Sequence, residues 1–378
     1  MHGSLGNREE HEGVDRSQET CLFVKTLYLR VTDSFSDSMH NPPPSDGALR
    51  HGSIQKQPQE TAVFIFLKQK GERTMKKWIG ILMAVAMMTA LCACGTEQPA
   101  TETASAGDEN GADTAILVVS FGTSYNESRD LTIGAIEKAI AAAYPQYEVR
   151  RAFTSQIIID KLKERDGLEI DNVDEALTRA AADGIRNLIV QPTHLMNGFE
   201  YTDLKEALDE YSDQFDQIVL GEPLLTSDED FEAVITAVTD ASSSNDDGNT
   251  ALVFMGHGTE AESNAVYTAL QEKLSADGFG NYYIGTVEAD PTVEDVVAAI
   301  QDKGYTRVVL QPLMIVAGDH ANNDMAGDED DSWKNVFKSN GYEVECVLEG
   351  LGQNEAVQQI FVDHVAAAIA QLKSITHD

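Results

Sequence analysis

His257 stands between Gly256 and Gly258 directly behind the apolar run 251–255, Glu288 ends the run 282–288, and His320 follows the run 307–312 by a short loop. Two imidazoles and one carboxylate that leave coordination positions open suit a divalent transition ion such as cobalt, iron, nickel or zinc, whereas magnesium and calcium prefer oxygen. Open positions would let a second ligand take the metal away. No two of these residues have the short spacing of a local metal motif, and either histidine alone reads equally well as a structural or surface group. The grouping therefore depends on a fold that brings three strand ends to one edge. The flanking glycines let the backbone turn and come close to a ligand.

From residue 115 onward the patterning predicts such a fold. Apolar runs of strand length at 115–121, 147–153, 187–192 and 217–223 alternate with helical spacing at 127–143, 173–184, 201–211 and 229–240. The polar stretch SSSNDDGN (242–249) interrupts. The pattern then begins again, with strands at 251–256, 282–288, 307–312 and 342–348 and helices at 262–276, 292–303, around 330–339 and 354–371. Continuously apolar strands imply parallel sheets covered on both faces.

The two passes are also alike in sequence: AILVVSFGT (115–123) aligns with ALVFMGHGT (251–259), and GIRNLIVQPTHLMNGFE (184–200) with GYTRVVLQPLMIVAGDH (304–320). The expectation is an α/β protein with internal duplication: a first lobe over 114–241, a linker over 242–249, a second lobe over 250–378, each a parallel sheet flanked by helices, and the active cleft between them. Ligands of open parallel sheets sit beyond the carboxyl ends of the strands, where all three donors lie. Duplication pairs His257 with Phe121 and His320 with Glu200, so the lobes are not chemically equivalent. Phe121, Glu200 and His194, on the corresponding rim of the first lobe, are the candidates for holding a substrate; a structural role for His194 is equally open. Asp319, Asn322, Asn323 and Asp324 either orient His320 or cap the helix that follows. The acidic run GDEDD (327–331) reads as a solvated helix start or a weak collector of cations.

Residues 1–74 carry no sustained period of 3.6 or 2. Met75 opens a different layout, MKKWIGILMAVAMMTALCAC: two lysines, an uncharged apolar run over 78–91, then small residues and a cysteine, as in a secretory signal. The run is short of the roughly 20 residues of a membrane-spanning helix. LCAC resembles a lipobox, which makes 75–93 a lipoprotein signal peptide and Cys94 the lipid-bearing mature N-terminus. A signal must begin the nascent chain, so Met75 is read as the start and 1–74 as upstream over-translation. Residues 94–113 are small, polar and acidic, a flexible tether. The expected location is therefore outside the cell membrane, attached through the lipid.

The chain has 27 basic and 63 acidic residues, and from Cys94 onward 16 against 53. Such a field repels nucleic acid and concentrates cations, and it also serves solubility. Of Cys21, Cys92, Cys94 and Cys346, only Cys346 falls within the lobes, so they hold no intramolecular disulfide.

With these residues in hand, the segments LVVSFGTSYNESR, QPTHLMNGFEY, MGHGTEAESN, GTVEADP and QPLMIVAGDHANNDM resemble the anaerobic sirohydrochlorin cobaltochelatases of cobalamin biosynthesis (CbiK type), which are related in fold to ferrochelatases. The resemblance runs from about residue 115 to the C-terminus. It implies that His257, Glu288 and His320 hold the metal and that His257 accepts a proton. It further implies Co2+ as the substrate metal, with Fe2+ or Ni2+ as alternatives, a tetrapyrrole as the other substrate, and no organic cofactor. A homo-oligomer is compatible with the sequence. Two features stand apart from a biosynthetic enzyme: the export signal, and an acidity that a polycarboxylate macrocycle would meet only if Arg129, Arg150, Arg151 or Lys161 lined the cleft. The alternative is a lipid-anchored, non-catalytic protein that binds metal or haem-like tetrapyrroles for uptake.

Overall fold

The computed structural model describes residues 113–375; the expectations for 1–74, 75–93, Cys94 and the tether up to 112 lie outside them. Two four-stranded parallel sheets form the two lobes. The first has the order β2-β1-β3-β4, from β1 (Thr114–Ser120), β2 (Glu148–Phe153), β3 (Asn187–Pro192) and β4 (Gln217–Leu220). The second repeats that order as β6-β5-β7-β8, from β5 (Thr250–Gly256), β6 (Tyr282–Thr286), β7 (Arg307–Pro312) and β8 (Glu343–Cys346). Every residue of the inner strands β1 and β5 is buried, which is why they read as unbroken apolar runs.

Helices cover the sheets: in the first lobe α1 (Asn126–Leu131), α2 (Ile133–Ala143), α3 (Gln156–Asp166), α4 (Val173–Ala182), α5 (Phe199–Tyr211) and α6 (Asp228–Ser242). In the second run come α7 (Ala265–Ala276), α8 (Val293–Ile300), a π-helical turn (Ala321–Met325), α9 (Trp333–Ser339) and α10 (Glu355–Ile375). Boxed caps start α4 at Asn172, α6 at Ser227 and α8 at Thr292, each side chain accepting from the third helical N–H. No helix among the described residues is long and apolar enough to cross a membrane.

Three points depart from the sequence reading. The single helix expected over 127–143 is two, broken at Thr132, where the segment before α10 packs so closely that a Cβ on Gly352 would lie 2.9 Å from the Thr132 Cβ. Helix α3 had no predicted counterpart. The last helix, assigned by sequence to the second lobe, packs against α2, α6, β3 and β4 of the first. Tyr144 on the first lobe donates to the Val362 carbonyl at 2.9 Å, and His364 Nε2 lies 2.9 Å from Asp230 Oδ1 on α6. One apolar cluster accordingly runs through Ile116, Ile189, Val234, Phe254, Leu270 and Phe361, joining both sheets.

Candidate metal centre

The carboxyl ends of β5, β6 and β7 are neighbours because β5 lies between the other two. His257 follows β5, Glu288 follows β6, and His320 follows β7 after the loop 313–319. Their ligand atoms all lie within 4.8 Å of one another. The two imidazoles meet edge to face with centroids 4.7 Å apart, and Glu288 Oε2 is 4.0 Å from His257 Nδ1. Two donors on one ion at about 2.0–2.2 Å are at most about 4.4 Å apart. The exposure of His257 and Glu288 leaves their side chains free to rotate toward a shared ion.

Hydrogen bonds decide which ring nitrogens face the ion. His257 Nδ1 is 2.8 Å from the Gly258 carbonyl, and His320 Nδ1 is 2.6 Å from Asp324 Oδ2. A carbonyl or carboxylate oxygen only accepts, so each Nδ1 carries its hydrogen and each neutral ring has its lone pair on Nε2. With those hydrogen bonds kept, the candidate donors are two Nε2 atoms and one carboxylate.

The glycines beside His257 turn out to make room for protein. A Cβ on Gly256 would lie 2.3 Å from the Tyr267 ring, and one on Gly258, at φ +86°, would lie 2.8 Å from the Ala289 nitrogen. The backbone N–H groups of Val287 and Glu288 both donate to the His257 carbonyl, at 3.2 and 2.8 Å. Asn264 closes the same assembly, accepting from Thr259 N at 3.0 Å and donating to the Asp290 carbonyl at 2.8 Å. The close approach that Gly258 permits is therefore that of the Glu288 turn to His257, which brings two of the three candidate donors together, while Gly256 makes room for Tyr267.

On the facing lobe, Phe121 and Phe199 expose about half of their surface at the rim, 51% and 57%. Glu200 is exposed at the start of α5, and its charge acts on both His194 and Tyr267, which puts it over the junction of the lobes. His194 departs from its expected role. The residue as a whole is partly exposed, but both ring nitrogens are inaccessible and lack a partner, and burial lowers its pKa from 6.5 to about 4 against the opposing pull of Glu200. It offers a substrate no hydrogen bond from this position.

The lobes touch beside the site. Tyr125 Oη donates to Asp319 at 3.4 Å, a Cβ on Gly318 would lie 3.4 Å from Thr123 Oγ1, and Val316 packs on the Ile133–Phe153 cluster. Arg129 and Arg151 line a cavity of about 660 Å³ whose walls all belong to the first lobe, and Arg150 lines a smaller one beside it. Arg151 is held by Glu137 and Arg150 by Asp183. None of the three lies on the rim that carries the metal donors.

The pattern of the family described as cobalt chelatase (CbiK) matches residues 114–370. The chain is 40% identical over 255 residues to the sirohydrochlorin cobaltochelatase of Salmonella typhimurium, covering 68% of this chain and 96% of that protein. It is 30% identical over 259 residues to the sirohydrochlorin cobaltochelatase CbiKC of Nitratidesulfovibrio vulgaris, covering 68% and 91%. SirB from Bacillus subtilis, solved with Fe3+, aligns with a TM-score of 0.52 at 15% identity over 69% of this chain and 98% of its own, which shows a shared chelatase fold. With its duplicated sheets, its three converging donors and this match across nearly all of the two lobes, the chain belongs to the cobalt chelatase (CbiK) family.

Proposed function

We propose that the chain is a sirohydrochlorin cobaltochelatase, inserting Co2+ into sirohydrochlorin or a closely related tetrapyrrole. The observation that carries the reading is the His257, Glu288 and His320 cluster, formed by three adjacent strand ends in a chain 40% identical to a protein of that name. Fe2+ and Ni2+ satisfy the same donors.

The chemistry follows from the donor set. Insertion removes two pyrrole N–H protons and adds one M2+. An imidazole binds the metal only through a free lone pair, so His257 Nε2 cannot hold the ion and a proton together. As the ion passes to the macrocycle, that lone pair is released beside the pyrrole proton it can accept. Phe121 and Phe199, half-exposed on the opposite rim, offer apolar faces to a flat ring. Glu200, at the junction, is the second acceptor within the cleft.

Export and lipid attachment at Cys94 belong to the same proposal and rest on the layout of residues 75–94. The activity is tested by following Co2+ insertion into sirohydrochlorin spectrophotometrically with the purified chain, beside His257→Ala and His320→Ala. The expected outcome is turnover by the unaltered chain and a loss of at least about 100-fold in each folded variant. Tight binding of metal or macrocycle without turnover would replace the reading with that of a tetrapyrrole- or metal-capturing protein.

A further inference from the structure

The three donors are held in different ways. His257 is fixed by a backbone carbonyl, and among the described residues neither oxygen of Glu288 accepts a hydrogen bond. His320 alone of the three is hydrogen-bonded to a carboxylate, Asp324, at 2.6 Å. Four polar residues surround His320 in sequence, and their contacts separate them. Asn322 donates to the Gly318 carbonyl at 2.7 Å, Asn323 donates to Asp319 at 3.0 Å, and Asp319 receives Tyr125 from the other lobe. Only Asp324 touches the imidazole.

The local backbone makes that contact rigid. Residues 321–325 form a π-helical turn closed by Ala326 N on the Ala321 carbonyl, and Ala321 and Met325 are fully buried. The turn is pinned on both sides of Asp324 while its carboxylate stays part-exposed against the ring. Single π turns inside helices frequently accompany functional sites.

We infer that Asp324 is a positioning residue for metal capture, resting on the chelatase reading above. It keeps the hydrogen of His320 on Nδ1, orients Nε2 toward the ion, and through its negative charge makes that nitrogen a stronger donor. Loss of such a partner costs about 10- to 100-fold in metal affinity.

The test measures Co2+ affinity of the full chain by competition with a chromophoric chelator, and records the visible absorption of bound Co2+ for Asp324→Ala, Asp324→Asn, His320→Ala and Asp330→Asn. Asp330 is exposed in the same acidic stretch and controls for the loss of one negative charge. The expected result is a Kd raised about 10- to 100-fold in Asp324→Ala with an altered Co2+ spectrum and an unchanged thermal midpoint. Asp324→Asn, whose amide oxygen still accepts from Nδ1, recovers part of the affinity, and Asp330→Asn matches the unaltered chain. If Asp324→Ala fails to fold, Asp324→Asn decides, with a several-fold weakening expected. Equal Co2+ affinity in the Asp324 variants and the unaltered chain, or equal weakening by Asp330→Asn, overturns the inference while leaving the metal site intact. Equal affinity of His320→Ala and the unaltered chain overturns the site itself.

Discussion

A buried imidazole with no partner is unusual enough to carry a measurable pH signature. His194 keeps its ring neutral in the folded chain down to about pH 4, because burial disfavours the cation, whereas the unfolded chain takes up a proton near 6.5. Protons bound preferentially by the unfolded state remove stability as pH falls. The loss therefore begins below about pH 6.5 and is complete at about pH 4, and its size is about 3 kcal/mol. Denaturant unfolding at pH 7 and pH 4.5 measures it. His194→Leu, which places no polar atom in the same space, is expected to flatten that part of the profile; an undiminished slope in the variant would assign the acid sensitivity elsewhere. The sequence placed His194 where the structure has it, just beyond the end of β3 as His257 lies beyond β5. It gave no sign that the ring points inward, because ring orientation is decided by packing across the lobe junction.

Elements explain why the convergence of the three candidate metal donors was legible and their supports were not. Each donor follows the end of a parallel strand, and the position of strand ends is written in apolar runs that are buried on both faces. The role of the glycines is written in contacts with Tyr267 and Ala289, residues distant along the chain from one another. Gly258→Ala tests that role. A side chain at φ +86° with Ala289 N in its path forces the Glu288 turn away from His257. The expected cost is about 1–3 kcal/mol of stability and, separately, a loss of Co2+ affinity of at least about tenfold. Weaker folding with unaltered affinity would mean that the turn only supports the sheet. Helix α3 had no counterpart in the sequence reading because its run of three isoleucines, 157–159, blurs the helical period: Ile159 and Leu162 are buried while Ile157 is 72% exposed. Thr132 breaks α1 from α2 through contact with Gly352, more than 200 residues away.

At the scale of the whole molecule, the duplicated sheets were visible as two matching passes, and the identical strand orders follow from them. The polar stretch 242–249 read as a linker begins inside α6: Ser242 closes that helix and is buried, its hydroxyl meeting Gln311. Export belongs to this scale too, since it concerns where the finished chain resides. Mass spectrometry of the N-terminus of the protein made in a bacterium with lipoprotein processing is expected to find a lipid-modified Cys94; an unmodified chain beginning at Met1 would remove the anchor from the proposal. Of the arginines that could oppose the acidity, Arg151 is held by Glu137, Arg150 by Asp183, and Arg129 pairs with Asp130 and lines a cavity walled by the first lobe. The last helix carries a different lesson. Because α10 leaves the second run and lies over β3 and β4 of the first, neither half is a complete body. A chain severed between the repeats would yield a front piece with one sheet face bare to water and a back piece trailing an orphan amphipathic helix. The two copies are thus not separable bodies: a cut between them would bare apolar surface on both pieces.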